Sequence, residues 1–298
     1  MTEEKKQILG HMLACGTQIM WGATFVSTKV LLTYFLPVEV LFIRVVLAFL
    51  TLWIVYPHRL DLKERKREVY FAGAALCGIV LYFMLENTAL TMTYASNVGI
   101  IVACAPFFVA VTVGFFFKNE KQGANFFVGF VIAITGVILI SMSGQKSLNL
   151  NPLGDFLAFL AMISWGGYSA FIRKIGDWEY PVIAVTRRIY FYAMIFLIPV
   201  LIEQNASWDL SAFRHPEVIA NLLFLGLGAS AIGFMLWNLA TAWIGAVKTS
   251  VYIYVSPIVT VVLSLIVLHE KMTLVSGIGA VLILIGLVIS QRKHVRNK

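Results

Sequence analysis

Tyr82-Phe83-Met84-Leu85-Glu86-Asn87-Thr88-Ala89 returns later in the chain as Gly233-Phe234-Met235-Leu236-Trp237-Asn238-Leu239-Ala240. The same offset pairs Ala95 with Ala246 and Pro106 with Pro257; after one deleted residue it pairs Glu120-Lys121 with Glu270-Lys271, Gly129 with Gly279 and Gly136 with Gly286. Upstream, Trp21-Gly22, Pro37 and Arg44 recur as Trp165-Gly166, Pro181 and Arg188, and basic Lys29 is answered by Arg173. The chain is a duplication of a unit about half its length, and such a repeat outranks any local signal. The expected halves are 1–146 and 147–298, integrated in one membrane domain.

Composition gives the environment. Of 298 residues, 60% are hydrophobic and 13% charged, and the mean hydropathy is +0.86. Soluble domains run at about 45–50% apolar and about 25% charged. This is the composition of an all-α integral membrane protein whose first partner is the lipid bilayer. The net charge of +8 does not point to nucleic acid, because the basic residues sit in short loops between apolar runs, where they set topology. Cys15, Cys77 and Cys104 fall inside apolar runs without a CxxC spacing, so neither a disulfide framework nor a metal site is indicated. No removable signal peptide is read before the first span.

A helical span needs about 20 mostly apolar residues. Ten fit: 11–31, 38–56, 69–90, 95–117, 124–143, 154–173, 181–202, 218–241, 247–268 and 272–290. Backbone groups in lipid must be satisfied internally, which makes these helices. With the N-terminus inside, the outer loops hold only Lys146, Arg214 and Lys271, while every other loop or tail Lys and Arg is cytoplasmic. This bias places both termini in the cytoplasm. Five spans per repeat is an odd number, so the second copy enters the membrane inverted. Two inverted five-helix repeats imply a shared midplane cavity and an exchange of roles between the halves.

These residues resemble a known family. Trp21-Gly22-x-x-Phe25…Lys29, Pro37…Arg44 and Tyr94-Ala95-Ser96-Asn97…Pro106…Glu120-Lys121 are similar to the first half of an EamA-domain protein of the drug/metabolite transporter superfamily. Gly154-Asp155…Trp165-Gly166, Leu236-Trp237-Asn238-x-Ala240 and Gly245-Ala246…Pro257…Glu270-Lys271 resemble the second half. The resemblance implies a ten-helix carrier in the plasma membrane, without a cofactor. Relatives move amino acids and related metabolites, nucleotide sugars, sugar phosphates or cationic drugs, and many bacterial members export. Many carry a Glu just before the proline of the ninth span. Here that position is Ser256, and its repeat partner is Ala105.

Charges within spans are functional candidates by default. Lys29 and Lys248 lie near span ends, where they either act or snorkel. Arg44 and Arg188 sit deeper and are related by the repeat; they read as gating or anion-binding arginines, or as ties for free carbonyls. Arg187 is expected to reach headgroups. Glu86 either pairs with Arg44 or Lys29 or carries a proton; the ion pair is the favoured reading. Trp21 and Trp165 are expected at the midplane as cavity walls or as packing beside Gly22 and Gly166. Tyr82, Tyr168, Tyr252, Tyr254, Asn97 and Asn238 complete the candidate cavity for a small amphipathic substrate. Pro106 and Pro257 are expected mid-span, as hinges or static kinks. The glycines of spans five and ten form small faces suited to close packing, with or without a homodimer.

Enzyme chemistry lacks its parts: no HExxH, GxSxG or GxxxxGK[ST] occurs, and the five histidines lie at span ends or in loops. The expectation is a secondary transporter for a small metabolite, an exporter working by alternating access. A membrane scaffold or chaperone is the alternative from another class. Topology gives the first test. Single cysteines at Ser207 and Glu64, in a cysteine-free background, should label from opposite sides of the membrane. Labelling of both by an impermeant reagent on intact cells would remove the inverted arrangement.

Overall fold

The computed structural model describes residues 2–92, 98, 101–117, 122–143, 152–206, 208, 210–259 and 274–291, and all regular structure among them is helical. Helix α1 (Glu3–Gly22) starts at Thr2, whose hydroxyl accepts the Lys5 N–H at 3.4 Å. It breaks at Ala23 and resumes as α2 (Thr24–Leu31). Then follow α3 (Pro37–Val55), α4 (Arg65–Met92), α5 (Ala105–Phe116), α6 (Ala124–Ser143), α7 (Pro152–Gly176), α8 (Val182–Glu203), α9 (Pro216–Ile244), α10 (Ala246–Val259) and α11 (Leu274–Gln291). Among the described residues, α3, α4, α8, α9 and the Phe156–Gly176 part of α7 are each long and apolar enough to cross a membrane. Large apolar side chains such as Phe115, Ile54 and Leu274 stand exposed on the outer surface, which water would not tolerate in such number but lipid does.

Duplicated sequence yields duplicated local structure. In α4 the α-helix widens into a π-helical stretch at Leu76–Leu81, just before Tyr82. In α9 it widens at Phe224–Ile232, just before Gly233. Tyr82 and Gly233 are the aligned first residues of the echoed segments. A π stretch inserts residues into a helix and loosens its carbonyls from their usual partners. Side chains from other helices take them up here. Trp21 Nε1 donates to Ala229 O at 2.9 Å, Tyr190 Oη to Ser230 O at 2.9 Å, and Ser164 Oγ to Cys77 O at 2.8 Å.

Helix contacts also come in exchanged pairs. The α1 helix packs on the Gly233–Ile244 part of α9, and α7 packs on the Tyr82–Met92 part of α4. A methyl at Gly22 would meet Val259 at 2.8 Å and Ser256 O at 3.0 Å, while one at Gly166 would meet Phe108 O at 3.0 Å. Each glycine thus lets its helix lie against the proline-bearing helix of the other half. The glycine faces of α6 and α11, expected to pack closely with or without a homodimer, meet each other within the chain. A methyl on Gly136 would stand 2.5 Å from Gly279 O, and one on Gly286 2.6 Å from Gly129 O.

The prolines, expected mid-span as hinges or static kinks, each stand just after a break in their helix. Pro106 does not kink a continuous helix. It occupies the first turn of α5, directly after a turn at Ala103–Cys104, where its missing N–H costs no helical bond. Pro257 follows a 3₁₀ segment at Val251–Tyr254 within α10. The break therefore precedes each proline, and the two breaks are related by the repeat.

One end of the molecule gathers the loops expected inside. Arg187, expected at headgroups, is buried and donates to the carbonyls of Tyr56 and His58. Beside it, Arg67 Nη1 donates to Tyr180 Oη at 3.0 Å. The opposite end joins the segments expected outside: Glu39 accepts the Leu36 N–H at 2.8 Å and the Trp208 N–H at 3.1 Å.

The glycine seam yields a stability prediction. Gly136→Ala should cost about 1–3 kcal/mol through forced separation of α6 and α11, read as a lower melting temperature in detergent. Gly16→Ala, with nothing within 4 Å of the added methyl, should leave melting unchanged. Equal melting of both variants would remove the close seam.

Candidate functional site

Between the two halves lies a cavity of about 510 Å³, its mouth included. It is walled by Trp21, Thr24 and Phe25 from α1–α2, Arg44 from α3, Tyr82, Phe83 and Glu86 from α4, Met162 and Trp165 from α7, and Phe234 from α9. Gln18, Ile253 and Ser256 line it where α1 meets α10, with Val102 and Ala105 beside α5.

The walls are aromatic because the echoed motifs deliver aromatic residues to one place. Trp21 and Trp165 meet edge to face, with ring centres 5.7 Å apart. Trp21 also packs on Trp237 at 5.1 Å and Phe234 at 5.0 Å, and Trp165 on Tyr82 at 5.0 Å. The equivalence of the tryptophans ends at their N–H groups. Trp21 approaches the π stretch of α9 because Gly233 has no side chain, and it bonds Ala229 O. At the aligned position α4 carries Tyr82, whose ring occupies that approach, and Trp165 Nε1 is buried without a partner among the described residues.

Charge enters through Arg44 and Glu86, both nearly fully buried at 2% and 6% exposure. Arg44 Nε donates to Ser230 Oγ at 2.9 Å, and its guanidinium lies over the Phe83 ring at 4.1 Å. The Tyr82 hydroxyl interacts with the Glu86 carboxylate, and Arg44 attracts it electrostatically. Glu86 Oε2 is nevertheless buried with no hydrogen-bond partner among the described residues. So Arg44, not Lys29, is the cation facing Glu86. Lys29 is exposed, as is Lys248.

Other expected residues fall elsewhere. Arg188 is the repeat partner of Arg44 but is bound differently: it is about a third exposed and paired with Glu68. Glu68 also accepts from Tyr192 Oη at 2.9 Å. Tyr168 and Asn238 stand behind the aromatic wall in a buried chain. Tyr168 Oη donates to Asn238 Oδ1 at 2.6 Å, and Asn238 Nδ2 to Thr186 Oγ1 at 3.0 Å. Tyr252 lies beyond the cavity toward the chain's N-terminal end, 2.9 Å from His11 Nδ1. Tyr254 is fully buried, its hydroxyl unpartnered among the described residues. Asn97 lies outside the described residues.

Sequence reasoning passed over Gln18, Phe25, Met162 and Phe234 as cavity residues. Gln18 sits one helical turn before Trp21 and was legible from that spacing. Ser256 Oγ is 2.6 Å from Gln18 Oε1. Gln18 Nε2 is buried and unpartnered among the described residues.

The sequence pattern of the EamA-like transporter family matches this chain twice, over residues 8–142 and 152–291. The chain belongs to that family. It is 24% identical to an uncharacterized transporter of Archaeoglobus fulgidus over 288 residues, 95% of this chain and 98% of that one. It is 27% identical to the uncharacterized transporter YvbV of Bacillus subtilis over 288 residues, 94% of this chain and 90% of the relative. A solved crystal structure superposes with a TM-score of 0.73 over 97% of both chains at 15% identity, a likeness of fold alone.

The tryptophans can be told apart. Trp21→Phe removes the bond to Ala229 O and should cost about 1 kcal/mol, lowering the melting temperature in detergent. Trp165→Phe removes an N–H that has no partner and should leave melting unchanged or slightly raised. The reverse order would contradict the asymmetry.

Proposed function

We propose that this protein is a secondary carrier for a small amphipathic metabolite in the plasma membrane. In this reading its ten helices form two inverted five-helix repeats, both termini are cytoplasmic, and the halves exchange roles as the cavity opens to either side. The observation that carries the proposal is the cavity itself: aromatic walls drawn from both halves, with buried polar atoms of Gln18, Glu86 and Trp165 left unpartnered among the described residues. Unpaired buried polar atoms cost free energy and are kept where something else satisfies them.

The exchanged packing of α1 on α9 and α7 on α4, and the paired π stretches, support inverted repeats. The end-on grouping of loops supports the topology. Along α1 the order is His11, held by Tyr252, then Gln18 and Trp21, then Phe25. The α1 contacts through Ala14, Ala240 and Ile244 sit below the cavity on the side of the N-terminus. With that terminus in the cytoplasm, these contacts on its side support an outward-facing reading of this state. Export is the direction implied by the family resemblance.

The test is transport by the purified protein alone in liposomes, with solutes first chosen by thermal shift, since a ligand of the folded state raises its stability. Saturable movement, weakened by Trp21→Ala and Trp165→Ala in protein that still inserts, is the expected result. Ligand binding without saturable movement would turn the reading toward a scaffold.

A further inference from the structure

The connection from α3 to α4, with the first turn of α4, carries the cations Arg59, Lys63, Arg65, Lys66 and Arg67 against the acids Asp61 and Glu64. One cation is turned inward. Arg67 donates to Tyr180 Oη at 3.0 Å and to Glu64 Oε1 at 3.3 Å, and its guanidinium lies over the Trp178 ring at 4.7 Å. The other four are exposed, and none of their charged groups has an ion pair or hydrogen bond among the described residues. The backbone beneath them is held. Arg187 donates to Tyr56 O and His58 O, the Lys63 N–H donates to Tyr180 Oη at 3.4 Å, and Leu60 and Leu62 pack on the core. Membrane topology does not require this arrangement, because the inside bias counts Lys and Arg whether or not an acid stands beside them. Between α7 and α8, Arg173 and Lys174 do pair with Asp177. The connection that the repeat makes equivalent, residues 204–215, has Arg214 and Asp209 as its only Lys, Arg, Asp or Glu.

We infer that the α3–α4 connection is a docking site for anionic phospholipid headgroups. Its position selects a lipid over a soluble anion. Trp53, Ile54 and Val55 stand exposed at the end of α3, and Val69 stands exposed one turn into α4. The apolar outer surface therefore runs up to the basic connection from both helices. That sets the cations at the level where acyl chains give way to headgroups, the level at which a basic juxtamembrane segment is drawn to anionic lipid. Guanidinium and ammonium groups meet a phosphodiester through charge-assisted hydrogen bonds. A connection already braced by Arg187 and Tyr180 loses little freedom when headgroups arrive. It joins α3, which carries Arg44, to α4, which carries Glu86, so headgroups held here steady the two helices that bring charge to the cavity. Headgroup binding of this kind does not depend on transport.

Thermal shift, with native mass spectrometry of retained lipid, tests this on the unmodified, detergent-purified protein in micelles doped with phosphatidylcholine or with phosphatidylglycerol of the same acyl chains. Phosphatidylglycerol should be retained at least about fivefold in preference and should raise melting further, the order of one such cation's attraction to an anionic surface. Added salt should erode the difference. Arg59→Gln, Lys63→Gln, Arg65→Gln and Lys66→Gln together should abolish the preference and leave melting in phosphatidylcholine unchanged, since these charged groups hold nothing within the protein. If that variant inserts poorly, Arg65→Gln with Lys66→Gln alone should lose about half of the preference. Lys174→Gln, at a cation already paired with Asp177, should keep it. Equal retention of the two lipids by the unmodified protein, or full preference in the loop variants, overturns the site. Loss of the preference in Lys174→Gln also overturns it, by showing that net charge alone is at work. A stabilisation of the same size by inorganic phosphate overturns the lipid assignment in favour of a soluble anion.

Discussion

Hydrocarbon offers no hydrogen bonds, so every backbone group in a membrane span must be satisfied by the protein itself. At the two π stretches and the break after Gly22 the consequence of that rule is visible. The π stretches in α4 and α9 loosen carbonyls, and Ser164, Trp21 and Tyr190 cover them from neighbouring helices. The break after Gly22 is covered by Thr24, whose hydroxyl donates to Trp21 O at 2.7 Å. These irregular points surround the cavity. Departing from regular helix there lets side chains converge, and the covering bonds tie each half of the molecule to the other.

The echoed segments each follow a π-helical stretch but differ in hydrogen bonding. Asn238 uses both ends of its amide, on Tyr168 and Thr186. Its repeat partner Asn87 is fully buried with neither amide atom bonded among the described residues. Trp21 is bonded and Trp165 is not. In both comparisons the α9 side is bonded and the α4 side is left open. Part of this follows from sequence, since Gly233 admits a neighbour that Tyr82 keeps out. On the carrier account the rest belongs to one conformation of two, in which the open side of one state becomes the closed side of the other.

Much of this was legible in the residues. The echo of Tyr82–Ala89 in Gly233–Ala240 pointed to a duplication, and Trp21 and Trp165, expected as cavity walls or as packing beside Gly22 and Gly166, meet edge to face in the structure. The span expected at 124–143 is α6 to the residue, whereas the first helix begins at Glu3 rather than at 11. What hydropathy cannot see is rotation about a helix axis. Arg187 and Arg188 are adjacent in sequence, yet one is buried on backbone carbonyls and the other reaches Glu68 at the surface. Tyr168 has central depth but turns toward Asn238 rather than the cavity. The position of the break before each proline was equally hidden, because a proline marks irregularity without saying on which side the helix yields. Glu86 was recognised as the deep acid, and the geometry names its neighbour as Arg44.

The account's central claim is that one cavity serves both faces of the membrane. The most direct measurement is the accessibility of a single cysteine at Thr24, a cavity-lining position, in a protein otherwise free of cysteine. An impermeant thiol reagent would be applied to right-side-out and inside-out vesicles. The account predicts labelling from both faces, with the cytoplasmic rate rising when a transported solute is present. Labelling from one face only, at a rate no solute alters, would contradict it and leave the cavity a one-sided pocket.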